Sequence, residues 1–347
     1  MSSTDLLIYS AATIALSAVL ASAVWTVAIH LHASGGTKLI DESCPPAAVE
    51  TFSRRYGTSI GSLDSFLCGV VSFFQTSLQD TIKDFTTIFL LGGPTILFAL
   101  LLESSRSDRP FVASFPLVVG VITQFFTGAI VISLGWTLFV VQACYKGTRQ
   151  GRKPVSRADV EAALLAIFIG YVIPTAWMLV THDIWAIILW QPLPIYISII
   201  QNAWSFLRRD KRAASGVDLA QLGFLLFSLL GTGAWVNILW PHVSLNAPFE
   251  FLNWLPPWSI PDPQTTTLSS TVLHLLQYDM TWIFVSTILT SLFLLNSVQE
   301  AFFVVQIAPA VTAIFGPAAL VGGLWMFREA ELVAQAEKEA SKATKSE

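Results

Sequence analysis

The residues of this sequence with most scope for chemistry are carboxylates set in apolar stretches: Asp64, Asp84, Glu103, Asp183, Asp279 and Glu300. A charge at membrane depth is costly, so an acid there favours its neutral, protonated form, and a neutral carboxylic acid is what general-acid catalysis requires. Asp279 is the most suggestive. It lies in HLLQYDMTWIF, with His274 five residues before it, Tyr278 adjacent, and Trp282 three residues on, nearly on the same helical face. The competing reading is that Asp279 caps the N-terminus of its own helix.

Asp64 opens an apolar helix beside Ser62 and Ser65, so capping competes there too. Glu300, in NSVQEAF, faces either a cavity or a polar turn. Glu103, in LLLESSRSDRP, precedes Arg106 and Arg109, and a surface ion pair is its default reading. Asp183 in THDIW and Asp84 beside Lys83 read as a turn residue and an interfacial cap.

Signatures that would force other chemistries are missing from the sequence. The histidines (His30, His32, His182, His242, His274) form no HxxxH or HxxHH cluster for a di-iron centre. There is no DDxxD-type pair to hold magnesium against a diphosphate, no GxSxG and no HExxH. Cys44, Cys68 and Cys144 make no CxxC, and their spacing suggests neither zinc nor a disulfide framework. No metal or cofactor is expected. Aromatic residues are abundant, with 24 Phe, 12 Trp and 6 Tyr. Their negative ring faces can stabilise a passing cation. Most belong to lipid-facing surface and interfacial belts, and Phe66, Phe73, Phe74, Trp136, Tyr278 and Trp282 are the candidates to line a pocket.

The elements holding these residues must be transmembrane helices. The chain is 54% hydrophobic and 12% charged, with a mean hydropathy of +0.64, whereas soluble domains are about a quarter charged. A net charge of -4 and the lack of a basic face argue against nucleic acid. Runs of about 20 apolar residues, long enough to span a bilayer, occur at Leu6 to Ile29, Phe85 to Leu102, Phe115 to Cys144, Ala162 to Val180, Ile184 to Phe206, Leu219 to Trp240 and Thr281 to Val298. An eighth, Ala301 to Phe327, follows closely. Each run must be helical, since lipid offers the backbone no partners. The expectation is an all-α bundle of seven or eight spans over residues 1–327, with a polar tail over 328–347.

The first run carries Asp5, lacks Lys and Arg, and is too long for a signal peptide, so it reads as a retained helix. Leu63 to Leu78, within 61–79, reads as an interfacial or re-entrant helix. Lys146, Arg149, Arg152, Lys153 and Arg157 form one basic connection, and Arg208, Arg209, Lys211 and Arg212 another; both read as cytoplasmic. The Pro- and Trp-rich connection 241–280 lacks Lys and Arg and reads as lying on the lumenal or outer side, as a cap on the bundle. An eighth span would put the tail from Arg328 outside. No internal repeat is visible, which weakens a transporter built from inverted halves.

Three strings, LDSFLCGVVSFF (Leu63 to Phe74), HLLQYDMTW (His274 to Trp282) and FGPAALVGGLWMFREAE (Phe315 to Glu331), resemble the longer branch of the fungal membrane-bound terpene cyclases of meroterpenoid and indole-diterpene pathways. The resemblance implies metal-free cyclisation of a prenyl chain, of farnesyl type, started by protonation of an epoxide or terminal alkene. Asp279 or Asp64 would supply the proton, with Glu300 and Glu103 as further carboxylates. Trp282, Tyr278, His274, Phe73, Phe74 and Trp136 would line the substrate site. The expected partners are a prenylated lipophilic substrate, the bilayer and membrane-associated pathway enzymes, with the endoplasmic reticulum as the location. The alternatives are a proton- or cation-coupled transporter and a non-catalytic membrane subunit.

Overall fold

A computed structural model describes residues 3–80, 82–106, 114–146, 154–242, 255–257, 259–295 and 297–346. Arg109, Arg149, Arg152, Lys153 and the whole NAPFEFLNW segment of the outer connection lie outside them. The described chain is all α-helix apart from short turns and a single bridge between Ser156 and Ser215. Its helices are α1 (Ile8–Ala33), α2 (Gly36–Glu42), α3 (Pro46–Tyr56), α4 (Gly61–Ser77), α5 (Lys83–Ser105), α6 (Pro116–Phe126), α7 (Gly128–Lys146), α8 (Arg157–Thr181), α9 (Ile184–Trp190), α10 (Leu193–Leu207), α11 (Val217–Leu239), α12 (Leu268–Phe293), α13 (Val298–Phe315) and α14 (Pro317–Ser346).

Among the described residues, six helices are long and apolar enough to cross a bilayer: α1, α5, α8, α11, α12 and α13. The number is eight if each bent pair, α3 with α4 (98°) and α9 with α10 (54°), counts as one span. This is an integral membrane protein. The expected run Ile184 to Phe206 breaks where Pro192 and Pro194 enter, since proline cannot continue the backbone ladder of the preceding turn. The run Phe115 to Cys144 breaks at Thr127, whose φ is 65°, and so forms two short helices rather than one span.

The run Ala301 to Phe327 is also two helices. Gly316, at φ 85°, ends α13, and Pro317 begins α14. The polar tail starts inside α14, which continues to Ser346. Near the C-terminus of α11, Trp235 and Trp240 donate to the carbonyls of Ala313 and Ile314, both at 3.1 Å, while Phe224, two turns into α11, stacks on Trp325. Helix α14 therefore runs antiparallel to α11. Its tail returns to the end of the bundle where α11 starts, not to the far side.

That end is the basic one. Arg157 donates its backbone N–H to Ala214 (2.9 Å), and Arg208 reaches Glu161 at 3.4 Å, so the two Lys/Arg connections lie together as their parity requires. At the opposite end α2, α3 and α4 form a cap. Cys44 and Cys68 are disulfide-bonded there with Cα atoms 6.1 Å apart, a pairing the sequence spacing did not suggest. The sharp bend between α3 and α4 contributes to that approach. Helix α13 buries none of its residues and presents Phe302 and Phe303 outward, to lipid.

The centre of the bundle is aromatic. Phe98 packs on Phe224 (4.7 Å between centroids), Trp136 on Phe139 (5.3 Å), and Trp325 lies 5.9 Å from Trp136. All five side chains are essentially inaccessible. In lipid such packing holds helices together without a hydrophobic driving force of its own.

Candidate functional site

Helix α12 fixes the position of Asp279. Its capping box, in which Thr267 and Ser270 satisfy each other's backbone amides, starts the helix at Leu268, well before the expected run. Asp279 is thereby the twelfth of 26 residues. It sits at membrane depth instead of at the mouth, and it caps not its own helix but α7. The break at Thr127 leaves the first amides of α7 without intrahelical partners. One of these, Ala129, donates to Asp279 Oδ1 at 2.6 Å.

Gly128, next to Ala129, packs closely against Ile283 of α12. A Cβ there would fall 2.3 Å from the Ile283 Cδ1 methyl and 3.8 Å from Asp279 Oδ1. Gly128 and Ile283 also line a partly open cavity of about 210 Å³ between α5 to α10 and α12. The cavity wall is mostly apolar and includes Phe89, Trp136, Phe139, Tyr171, Trp190 and Phe284. On α5 it extends from Phe89 to Glu103, about 21 Å at about 1.5 Å per residue. Helix α12 runs alongside α5, with Phe85 against Val272 and Leu276, and Gly92 against Phe284. Asp279 is therefore level with the Phe89 end of the cavity, behind the lining residues Gly128 and Ile283 and not itself in the lining, whereas Glu103 lines the other end.

Glu103 is 1% exposed, and its ion pair is buried rather than superficial. Its Oε1 accepts from Arg106 Nε at 2.8 Å and from Arg328 Nη1 at 2.5 Å, and Arg106 also pairs with Glu329. Arg328 lies over the Trp325 ring at 4.6 Å. Of these four charged residues, Glu103 lines the basic end of the cavity. Two buried guanidinium groups pair with the Glu103 carboxyl, so it fits an electrostatic partner better than a proton donor.

The other expected site residues are placed as follows. Asp64, 1% exposed, accepts from the Thr58 amide (2.6 Å), the Thr58 hydroxyl (2.9 Å) and the Ser53 hydroxyl (2.8 Å), stapling the α3–α4 bend away from the cavity. Glu300 closes a capping box with Ser297 at the start of α13. Trp136 lines the cavity, with its indole N–H on Thr287 at 2.9 Å. Phe74 packs on the cavity residue Trp190 at 5.1 Å, and Phe73 packs on Phe74. Tyr278, Trp282 and His274 turn towards α1. The Tyr278 hydroxyl meets His30 Nδ1 at 2.8 Å, Trp282 donates to Thr26 at 2.8 Å, and His274 lines a small separate pocket with His30.

Sequence reasoning passed over Gln124, Tyr171, Trp190 and Gln201, all in the cavity wall. An uncharged amide inside an apolar run was the available signal for Gln124 and Gln201, for the reason that applies to the acids.

The fold and cavity define an integral membrane helix bundle built around an elongated, largely apolar chamber with a carboxyl group near each end. The chain belongs to the CtvD-domain family: the family model described as a CtvD domain matches residues 11–333. CtvD itself is a membrane protein of a fungal secondary-metabolite pathway, that of citreoviridin. No curated protein and no solved structure matches the chain.

Proposed function

We propose that this protein is a membrane-bound cyclase that folds a lipophilic, prenyl-type chain into rings by acid initiation. The observation that carries the reading is the position of Asp279, at membrane depth and directly behind side-chain-free Gly128 in the wall of an aromatic chamber. With Oδ1 accepting the Ala129 amide, the second oxygen can carry the proton.

In this mechanism Asp279 protonates an epoxide oxygen, or the end carbon of an alkene, at the Gly128 end of the chamber. The epoxide C–O bond breaks, or the alkene π pair forms the new C–H bond, and a carbocation results. Neighbouring alkene π pairs attack it in turn, each forming one ring bond. The faces of Trp136, Tyr171, Trp190 and Phe139 stabilise the moving charge without capturing it as an oxygen base would. Loss of a proton, or capture by a hydroxyl of the substrate that then loses its proton, ends the cascade, so product and substrate have equal mass. The Glu103 carboxyl, in the lining of the far end, can interact with positive charge there. A greasy substrate would enter from the bilayer, and the endoplasmic reticulum suits such a pathway.

A proton-coupled carrier is the second reading, and one feature favours it: the break at Thr127, which points a helix N-terminus at a carboxylate within the membrane. Microsomes expressing the protein separate the two when given prenylated substrates with and without a terminal epoxide. A cyclase converts one of them to an isomer of unchanged mass but different chromatographic retention. A carrier, or a non-catalytic subunit, returns both unaltered.

A further inference from the structure

At the basic end of the cavity is a second polar group, which the proposed chemistry does not use. Gln201 on α10 lines it and is 8% exposed. Its Nε2 donates to Ser105 Oγ at 3.2 Å, and Ser105 in turn donates its single hydroxyl proton to the Leu101 carbonyl at 2.8 Å. Ser105 can therefore only accept from Gln201, and this fixes which way the amide is turned. The Gln201 carbonyl oxygen is left on the cavity side with no hydrogen bond to another described residue. That oxygen is an accessible acceptor at the wall of a largely apolar chamber, where a ligand's hydrogen-bond donor would find few other partners.

We infer that Gln201 reads a hydrogen-bond donor, an alcohol, phenol or enol O–H, on the polar head of the chamber's substrate, and so orients the chain with its head at the basic end and its tail near Asp279. This inference rests on the cyclase reading for the existence of a lipophilic substrate and adds the chemistry of the head group. The charges nearby select the same chemistry. Arg106 and Arg328 are already engaged by Glu103 and Glu329. A phosphate or carboxylate head would meet the Gln201 oxygen and the Glu103 carboxylate instead of a cation, whereas a neutral O–H finds an acceptor. The head and the acid thus stand at opposite ends of about 21 Å of helix, and a chain bound the other way round would put its reactive tail out of reach of Asp279.

The test uses the full chain in lipid nanodiscs and two probes, a farnesyl-substituted phenol and its O-methyl ether, both with a terminal epoxide. Binding is measured directly, and turnover separately. Wild-type protein should bind the phenol about tenfold more tightly than the ether, the scale of one well-formed hydrogen bond. Gln201→Met, similar in shape but without the oxygen, should bind both probes with nearly the affinity the wild type has for the ether. Ser105→Ala, which frees the Gln201 amide to turn but keeps its oxygen, should reduce the preference without abolishing it. Unchanged ether binding by Gln201→Met shows that the chamber is intact. Undiminished preference for the phenol in Gln201→Met, or no binding of either probe by the wild type, overturns the inference. Binding with the expected preference but no conversion to an isomer upholds the head-group site and counts against the cyclase reading alone.

Discussion

Asp279 of α12 accepts the backbone N–H of Ala129 at 2.6 Å, joining residues 150 apart in sequence at the level where α7 begins inside the membrane. The contact gives the carboxyl group two connected functions. It satisfies an amide that lipid could not, and it holds the acid against the wall of the chamber. Beside it, Gly128 packs so closely on Ile283 that a Cβ would lie 2.3 Å from the Ile283 Cδ1 methyl.

Gly128→Ala therefore tests the fit directly. The added methyl would meet the Ile283 side chain at 2.3 Å, and overpacking of this kind costs about 1–3 kcal/mol. Thermal unfolding of the purified protein should shift downward, and turnover should fall as the wall moves. A variant as stable and as active as the wild type would show that the close approach is unimportant.

The charge cluster at the basic end should behave as a unit. Removing one partner of a buried ion pair leaves an uncompensated charge, at a cost of about 3–5 kcal/mol. Arg328→Met and Glu103→Gln should each lower stability substantially. Combined, they should lose less than the sum of their separate effects, because the Arg328–Glu103 pair at 2.5 Å is already broken in either one. Strict additivity in a double-mutant cycle would mean that the two residues do not interact.

For Asp64 the expected result is stability without chemistry. Asp64→Ala removes the acceptor of three hydrogen bonds at the α3–α4 bend, which should cost about 1–3 kcal/mol. Turnover per folded molecule should stay near that of the wild type, as judged by product formed against the amount of folded protein recovered. A large loss of turnover at normal stability would return Asp64 to the list of candidate acids.

Hydrophobic run length made the all-α membrane fold legible, and the match between the two basic connections made its parity legible. What escaped was whatever depends on distant partners. Glu103 looked superficial because Arg106 and Arg109 follow it, and the residues that bury it, Arg328 and Glu329, are more than 220 positions further on. The apolar composition of Phe115 to Cys144 hid the break at Thr127, since a backbone turn at membrane depth needs an outside carboxylate and leaves no local mark. Asp279 stood out as an acid among apolar residues, yet its expected companions Tyr278 and Trp282 turn to α1. Helical spacing indicates a shared face, not which neighbour that face meets.

The most direct test of the account compares Asp279→Asn with Asp279→Ala and the wild type, at matched amounts of folded protein, on an epoxidised prenyl substrate that the wild type cyclises. Asparagine keeps an oxygen for the Ala129 amide but has no acidic proton, so its variant should unfold at nearly the wild-type temperature while turning over about 10²–10⁴-fold more slowly. The alanine variant should lose activity and also about 1 kcal/mol of stability with the cap. Wild-type turnover by the asparagine variant would contradict the assignment of Asp279 as the proton donor.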